Sequence, residues 1–358
     1  MPSKMTPKVL VAPLDWGLGH ATRCIPVVRK LVDIGAEVTL CASGGGRALL
    51  SNRFPSLEMI DIPSYQVSYP RSGNMAWSMM LQTIPLMRSI RKENEILERM
   101  VRLHKFTHII SDNRYGLFSR SAKNAIITHQ LNVLTPKHLN IFKPLINGLV
   151  KRYIDHFDEC WVPDMDSKLS GELSRPQQQF VTPLKDVGIL SRFEGSVNQI
   201  RSSAVDVISV ISGPEPQRTI FADMVKQYYT DKDIRVMIAG GQPELGTNVI
   251  GAGNITIRND IDDMELLSLL SEDTLYIGRS GYSTVMDLAS IGHRKALLVP
   301  TPGQTEQEYL ARYLADRYGT TITEQQNMSI PDKINETTWP ENTAAGRLKK
   351  VLTSFLGT

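Results

Sequence analysis

Residues Tyr276 to Tyr309 read YIGRSGYSTVMDLASIGHRKALLVPTPGQTEQEY, and their order of patterns decides the fold. The apolar run Thr274–Ile277 predicts a short buried strand, and Gly278-Arg279-Ser280-Gly281 a tight loop. Ser283 to Ile291 has helical spacing, with Val285, Leu288 and Ala289 on one face. Lys295 to Pro300 predicts the next strand, and Thr305 onward is helical again. Two helix N-termini therefore open on one edge of a parallel sheet. Such termini present unpaired N–H groups and a partial positive charge, which suits phosphate. Arg279 would add a full charge, Asp287 lies where a carboxylate could accept ribose hydroxyls, and Gln307 lies where an amide could read sugar hydroxyls.

The same alternation runs through the whole chain. Strands are expected at Lys8–Pro13, Glu37–Ala42, Leu57–Asp61, Thr107–Ser111, Ala125–Thr128 and Glu159–Val162. A second set is expected at Val205–Ile211, Ile234–Ile238, Asn254–Ile257, Thr274–Ile277 and Lys295–Val299. Helical segments between them imply an α/β protein of two doubly wound parallel-sheet, Rossmann-like domains across a cleft. Pro183 to Ser203 breaks the rhythm and is read as the linker. The expected division is 1–190 for an acceptor-binding domain, 191–340 for a nucleotide-sugar domain, and 341–358 for a C-terminal helix returning to the first domain.

The 358 residues are enough for two ordinary cores. No apolar run approaches the roughly 20 residues that span a bilayer, and the first residues lack the apolar stretch of a secretory signal, which predicts a cytoplasmic protein. Cys24, Cys41 and Cys160 form no metal pattern and are expected as reduced core thiols. A net charge of +3 gives no argument for nucleic acid. No pair of acids makes a metal site, and no cofactor is expected.

Leu14 to Arg23, LDWGLGHATR, follows the first strand. Gly17 and Gly19 permit close backbone approach, and His20 falls at a helix start. The reference pKa of histidine, about 6.5, suits a general base. His20 is read as that base, with Asp15 as rival base or orienter, and a helix-capping role is the plain alternative. A dinucleotide fingerprint is disfavoured, because Thr22 stands where its third glycine belongs.

Together, Arg279, Ser280, Gly281, Thr284, Asp287, Val299, Pro300, Glu306 and Gln307, with Gly-x-Gly-His-x-x-Arg in the first loop, resemble the nucleotide-sugar signature of GT-B glycosyltransferases. The likeness is greatest to family 28, which includes the enzyme adding N-acetylglucosamine to the lipid-linked peptidoglycan precursor. Two residues depart from that enzyme's pattern: Asp287 replaces its more usual Glu, and Glu308 stands where it has a second Gln.

The resemblance implies an inverting, metal-independent hexosyltransferase using a UDP-sugar, UDP-N-acetylglucosamine first. It implies donor contacts from Gly19, Ser212, Gly213, Ile261, Arg279, Ser280, Gly281, Thr284, Asp287, Glu306 and Gln307. Arg218 reads equally as a phosphate ligand or a surface residue, and Asp262 as a helix N-cap. Asp112, Asn113, Arg114 and His129 end two strands and serve either the acceptor or loop hydrogen bonds.

Met75–Ile96 and Lys137–Phe157 are basic and apolar. They read as ordinary amphipathic helices or, by the same resemblance, as peripheral contact with the inner face of the cell membrane and a lipid-linked cell-envelope acceptor. A UDP-N-acetylglucosamine 2-epimerase and a non-catalytic nucleotide-sugar-binding subunit are the alternative readings.

Overall fold

The structure, a computed structural model, describes residues 6–62, 83–195, 204–246, 249–327, 329–331 and 333–357. The first sheet is formed by β1 (Lys8–Pro13), β2 (Glu37–Cys41), β3 (Glu58–Ile60), β4 (His108–Asp112), β5 (Lys123–Ile127), β6 (Glu159–Val162) and β7 (Leu184–Asp186). Its strands are all parallel, in the order β3-β2-β1-β4-β5-β6-β7. The second contains β8 (Val207–Val210), β9 (Val236–Ala239), β10 (Val249–Ala252), β11 (Ile255–Arg258), β12 (Leu275–Gly278), β13 (Ala296–Leu298) and β14 (Thr321–Ile322). Its order is β10-β11-β9-β8-β12-β13-β14, with only the edge strand β10 antiparallel to its neighbour. Central strands such as β1 and β6 are buried on both faces, so they carry apolar runs without polar alternation.

Helices α1 (Leu18–Asp33), α2 (Gly44–Arg53), α3 (Thr83–His104) and α4 (Lys143–Ile154) serve the first sheet. Those of the second are α5 (Gln217–Tyr229), α6 (Asp263–Leu269), α7 (Tyr282–Ile291) and α8 (Thr305–Tyr318), and α9 (Arg347–Leu356) follows. Gly292, at φ 65°, caps α7 in the left-handed region, where a side chain would be strained.

Three strands differ from the sequence expectation. β7 lies inside the segment read as linker, pairing Leu184 with Cys160. Its three residues carry too little pattern to stand out, and only β6 beside them makes them a strand. β10 and β14 are similarly short edge strands. The remainder of the linker is docked rather than loose through residue 195: Leu190 and Phe193 are buried in the core. Residues 196–203 of the expected linker lie outside the described residues.

One apolar cluster runs from Val9, Val11 and Trp161 through Tyr282 and Leu310 to Ile208 and Leu298, so the domains share a core. The Tyr282, Tyr313 and Tyr318 hydroxyls donate to carbonyls of Pro163 and Lys168 in the first domain. Helix α9 lies against the first sheet: Phe355 packs edge-on to Trp161, and Lys123 Nζ donates to the Phe355 carbonyl at 2.9 Å. Cys24, Cys41 and Cys160 are free and buried.

Candidate active site

Each sheet reverses its winding once, between β1 and β4 in the first and between β8 and β12 in the second. Ligands of doubly wound sheets bind beyond the carboxyl ends of strands at that reversal. Here the two reversals face each other. Ser283 Oγ, in the first turn of α7, donates to the Gly19 carbonyl, in the first turn of α1, at 2.7 Å. Gly17 takes φ 90°, and a Cβ there would stand 3.9 Å from the backbone of Gly213. Two helix N-termini and a glycine loop thus converge, an arrangement whose free N–H groups suit an anion.

His20 lies in the first turn of α1, and its carboxylate partner is Asp112. The register pairs Pro13 with Asp112, which puts that carboxylate directly beside the first loop. His20 Nδ1 is 3.1 Å from Asp112 Oδ1 and 2.7 Å from Arg23 Nη2. Arg23 Nε donates to Asp112 Oδ2 at 2.5 Å, and its Nη2 also bonds Oδ1. Nδ1 therefore sits between an acceptor and a donor. The tautomer with hydrogen on Nδ1 bonds Asp112 and leaves Nε2 bare; the other bonds Arg23. Burial, then Arg23, lowers the pKa of His20 against the pull of Asp112, which favours a neutral ring. Burial works to raise Asp112, but Arg23 and His20 outweigh it and hold the carboxylate at about 2.

Other first-domain residues fall differently from expectation. Asp15 accepts from Ser43 Oγ at 3.0 Å beside the start of α2, so the orienting carboxylate at His20 is Asp112 instead. Asp112 itself, expected on the acceptor side, is fully buried behind His20. Arg114 is also fully buried, with Nε donating to Glu93 Oε1 at 2.6 Å, and braces α3 rather than the cleft. Asn113 takes φ 58° and is buried, its N–H bonded to the Ile127 carbonyl. His129 is buried as well, with Nδ1 3.4 Å from Arg23 Nη1.

On the donor side, Ser212, Gly213 and Arg218 line a cavity of about 170 Å³ together with Asp15, Gly17 and Leu18. Arg218 is paired with Glu215 at 2.5 Å and donates to the Gly241 carbonyl. A larger cavity of about 690 Å³ lies between Asn52 and Arg53 of the first domain and Asp260, Asp262 and Arg258 of the second. Asp262 caps α6, accepting from the Met264 N–H. The Ile261 carbonyl accepts from Arg53 Nη2 at 2.8 Å, a partner from the other domain.

Six members of the motif have structural partners. Arg279 donates to the Gln217 and Val299 carbonyls and stacks 4.2 Å from the Phe221 ring; burial lowers it to about 9. It braces the loop from beneath rather than pointing at a ligand. Ser280 Oγ donates to the Gln307 carbonyl at 2.8 Å, and Thr284 bonds the Tyr276 hydroxyl. Asp287 accepts from Ser191 Oγ at 2.7 Å and from Arg192 Nε at 2.9 Å, so the linker occupies the carboxylate expected for ribose. Burial raises its pKa. Gly281 is the N-cap of α7. Gln307 is buried, with Oε1 accepting from the Thr301 N–H at 2.8 Å. Glu306, expected to read the sugar beside it, instead meets His129 and Gln130.

The sequence patterns assign no role to Arg23, Arg53, Ser191, Arg192 or Ser283. Arg23 carried a signal, since it closes the Gly-x-Gly-His-x-x-Arg pattern. The others are polar residues whose partners lie across the interface, and nothing local marks them.

The architecture, two parallel α/β domains with facing switch points, is that of the GT-B glycosyltransferases. The glycosyltransferase family 28 C-terminal domain matches residues 221–351. An uncharacterized glycosyltransferase of Methanosarcina acetivorans is 22% identical over 333 residues, covering 88% of this chain and 85% of its own. Among solved structures, the spinosyn rhamnosyltransferase SpnG shares the fold at TM-score 0.57 and 14% identity, covering 98% of this chain and 92% of its own. The glycosyltransferase SnogD from Streptomyces nogalater does so at TM-score 0.57 and 13% identity, covering 99% and 95%. Residues 221–351 of this chain thus carry a glycosyltransferase family 28 C-terminal domain, on a GT-B fold.

Proposed function

We propose that this glycosyltransferase moves a hexose or N-acetylhexosamine from a UDP-sugar, UDP-N-acetylglucosamine first, to a hydroxyl acceptor with inversion and without metal. The observation carrying this reading is the pair of half-buried His20 and buried Asp112, next to Gly19, which the Ser283 hydroxyl at the N-terminus of α7 bonds at 2.7 Å across the interface. In the Nδ1–H tautomer, His20 Nε2 takes the acceptor's proton as the acceptor oxygen attacks the anomeric carbon. The bond from that carbon to the diphosphate oxygen breaks on the opposite face, and a single displacement inverts the centre. The proton ends on His20, beside Asp112. The N–H groups opening α1 and α7, with Ser212 and Gly213, receive the leaving diphosphate. Asp287 takes the ribose in exchange for Ser191 and Arg192, backbone groups near Ile261 meet the base, and the Gln307 amide reads the sugar.

The donor assignment is tested by thermal shift with UDP, GDP, dTDP and their sugar conjugates. At a hundredfold excess over Kd, a bound nucleotide stabilises by about 2.7 kcal/mol. A selective rise with UDP or one UDP-sugar is expected. A preference for GDP or dTDP would overturn the uridine assignment, and no response to any nucleotide would remove the donor site.

We further propose that the acceptor is lipid-linked and that the first domain rests on the inner face of the cell membrane. Among the described residues, no helix is long and apolar enough to cross one. Support for surface contact comes from Ile141 and Leu145, 82% and 72% exposed, beside exposed Phe142 and Lys137 at the start of α4. On α3, Met87 is exposed with Arg88 and Arg91, while Met75 to Leu81 of that stretch lies outside the described residues. An Ile141→Asp/Leu145→Asp variant is expected to lose at least about tenfold in partitioning onto vesicles containing anionic lipid, given about 1.5–3 kcal/mol for each buried side chain. Unchanged sedimentation with vesicles would dismiss this surface.

A further inference from the structure

The contacts around His20 do not stop at Asp112. Arg23 extends Nη1 toward His129 Nδ1 at 3.4 Å. A guanidinium only donates, so Nδ1 of His129 accepts and the ring hydrogen sits on Nε2. That nitrogen lies 2.9 Å from Glu306 Oε1, and Gln130 Nε2 bonds the other Glu306 oxygen. Both oxygens are thus taken by the first domain, although Glu306 stands in the first turn of α8 in the second. The His129 ring also lies 4.2 Å from the Tyr282 ring, stacked at 23°, so the second domain holds it from two sides.

We propose that Glu306 is a positioning residue for the general base rather than a reader of the donor sugar: held by Gln130, it anchors Arg23 through His129 against Asp112 and His20 when the two domains are docked. The catalytic part rests on the transferase reading above; the chain of contacts does not.

Charge balance gives the physical reason. The groups facing His20 are Arg23 on its own helix, Asp112 at the end of β4, His129 after β5 and Glu306 on α8. Before proton transfer the pocket holds one cation and two carboxylates. Once His20 accepts a proton, two cations face two anions. Without Glu306 the same step would leave a buried excess positive charge, which low-dielectric surroundings penalise. Burial alone would raise the Glu306 carboxyl; His129, Arg23 and His20 outweigh it, so the anion is available. Its place at a helix N-terminus favours the same ionised form. Gln307, next along the helix, keeps its amide nitrogen for a ligand while its oxygen is tied to Thr301.

The test is Glu306→Gln, which keeps shape and removes charge. The His20 ring titration is followed by NMR in the full-length protein without substrate, alongside steady-state kinetics. The His20 midpoint is expected to move to lower pH, with turnover falling about tenfold and donor KM changing less than about threefold. Glu306→Asp should restore part of both, and Gln130→Ala should move the midpoint the same way by less, which covers a folding defect in the first variant. An unmoved midpoint with a raised donor KM would make Glu306 a sugar reader and overturn the proposal, as would no change in either. Because the titration needs no turnover, it decides the coupling even if the chain transfers a different group.

Discussion

Turnover of the His20→Ala variant is expected to fall by about 10²–10⁴-fold, the range for removing a general base, while UDP binding is retained. The side chain contacts Arg23 and Asp112 and otherwise faces the cleft. Alanine in the first turn of α1 keeps the helix, and Arg23 still satisfies Asp112, so no charge is orphaned. The donor contacts proposed for the second domain do not involve this ring. In the wild type, the same assignment fixes the sign of the pH dependence. The neutral ring is the active form, and burial and Arg23 lower its pKa. Turnover should therefore rise with pH along a limb centred below the ordinary histidine value, then level off, and the limb should vanish in His20→Ala. Steady-state kinetics with a UDP-binding titration checks both parts, and wild-type turnover in the variant would refute the role.

Replacing Asp112 with alanine should do damage of two kinds. Arg23 is 2% exposed, and Asp112 is the carboxylate that bonds it through both oxygens. Removing one partner of a buried ion pair typically costs about 3–5 kcal/mol, because the remaining charge stays desolvated. Glu306 makes no hydrogen bond to Arg23 and meets it through His129 and by charge, so it steadies Arg23 without replacing the two bonds lost with Asp112. Catalysis should fall as well, by about 10³-fold or more, because His20 loses the acceptor that fixes its tautomer. Denaturant unfolding of the single variant and of Asp112→Leu/Arg23→Leu separates the two effects. The double variant should recover much of the stability and none of the activity. An Asp112→Ala protein as stable as wild type would show that Arg23 is not held as described.

The glycine loop after β1 and the strand–loop–helix order of Tyr276–Tyr309 were legible because they are local. Apolar runs of four to six residues mark buried parallel strands, and Gly17, Gly281 and Gly292 mark where the backbone must turn or cap. The resemblance to family 28 rests instead on the motif residues of those two stretches, from Arg279 to Gln307 and from Gly17 to Arg23. The partners of the polar side chains were not legible. Asp112 became the companion of His20 because β4 pairs with β1 and sets Pro13 opposite Asp112. Arg279 carries the motif yet is buried and donates to the Val299 and Gln217 carbonyls, partners 20 and 62 residues away along the chain. Asp287 is met by Ser191 and Arg192 because the linker folds back onto α7, and Glu306 by His129 and Gln130 because the domains dock. The sequence by itself determined backbone periodicity, turn geometry and the two helix N-termini, each a matter of residues a few positions apart. Strand order and domain docking alone decided which charges meet, because Coulomb and hydrogen-bond partners depend on distance in space and not on separation along the chain.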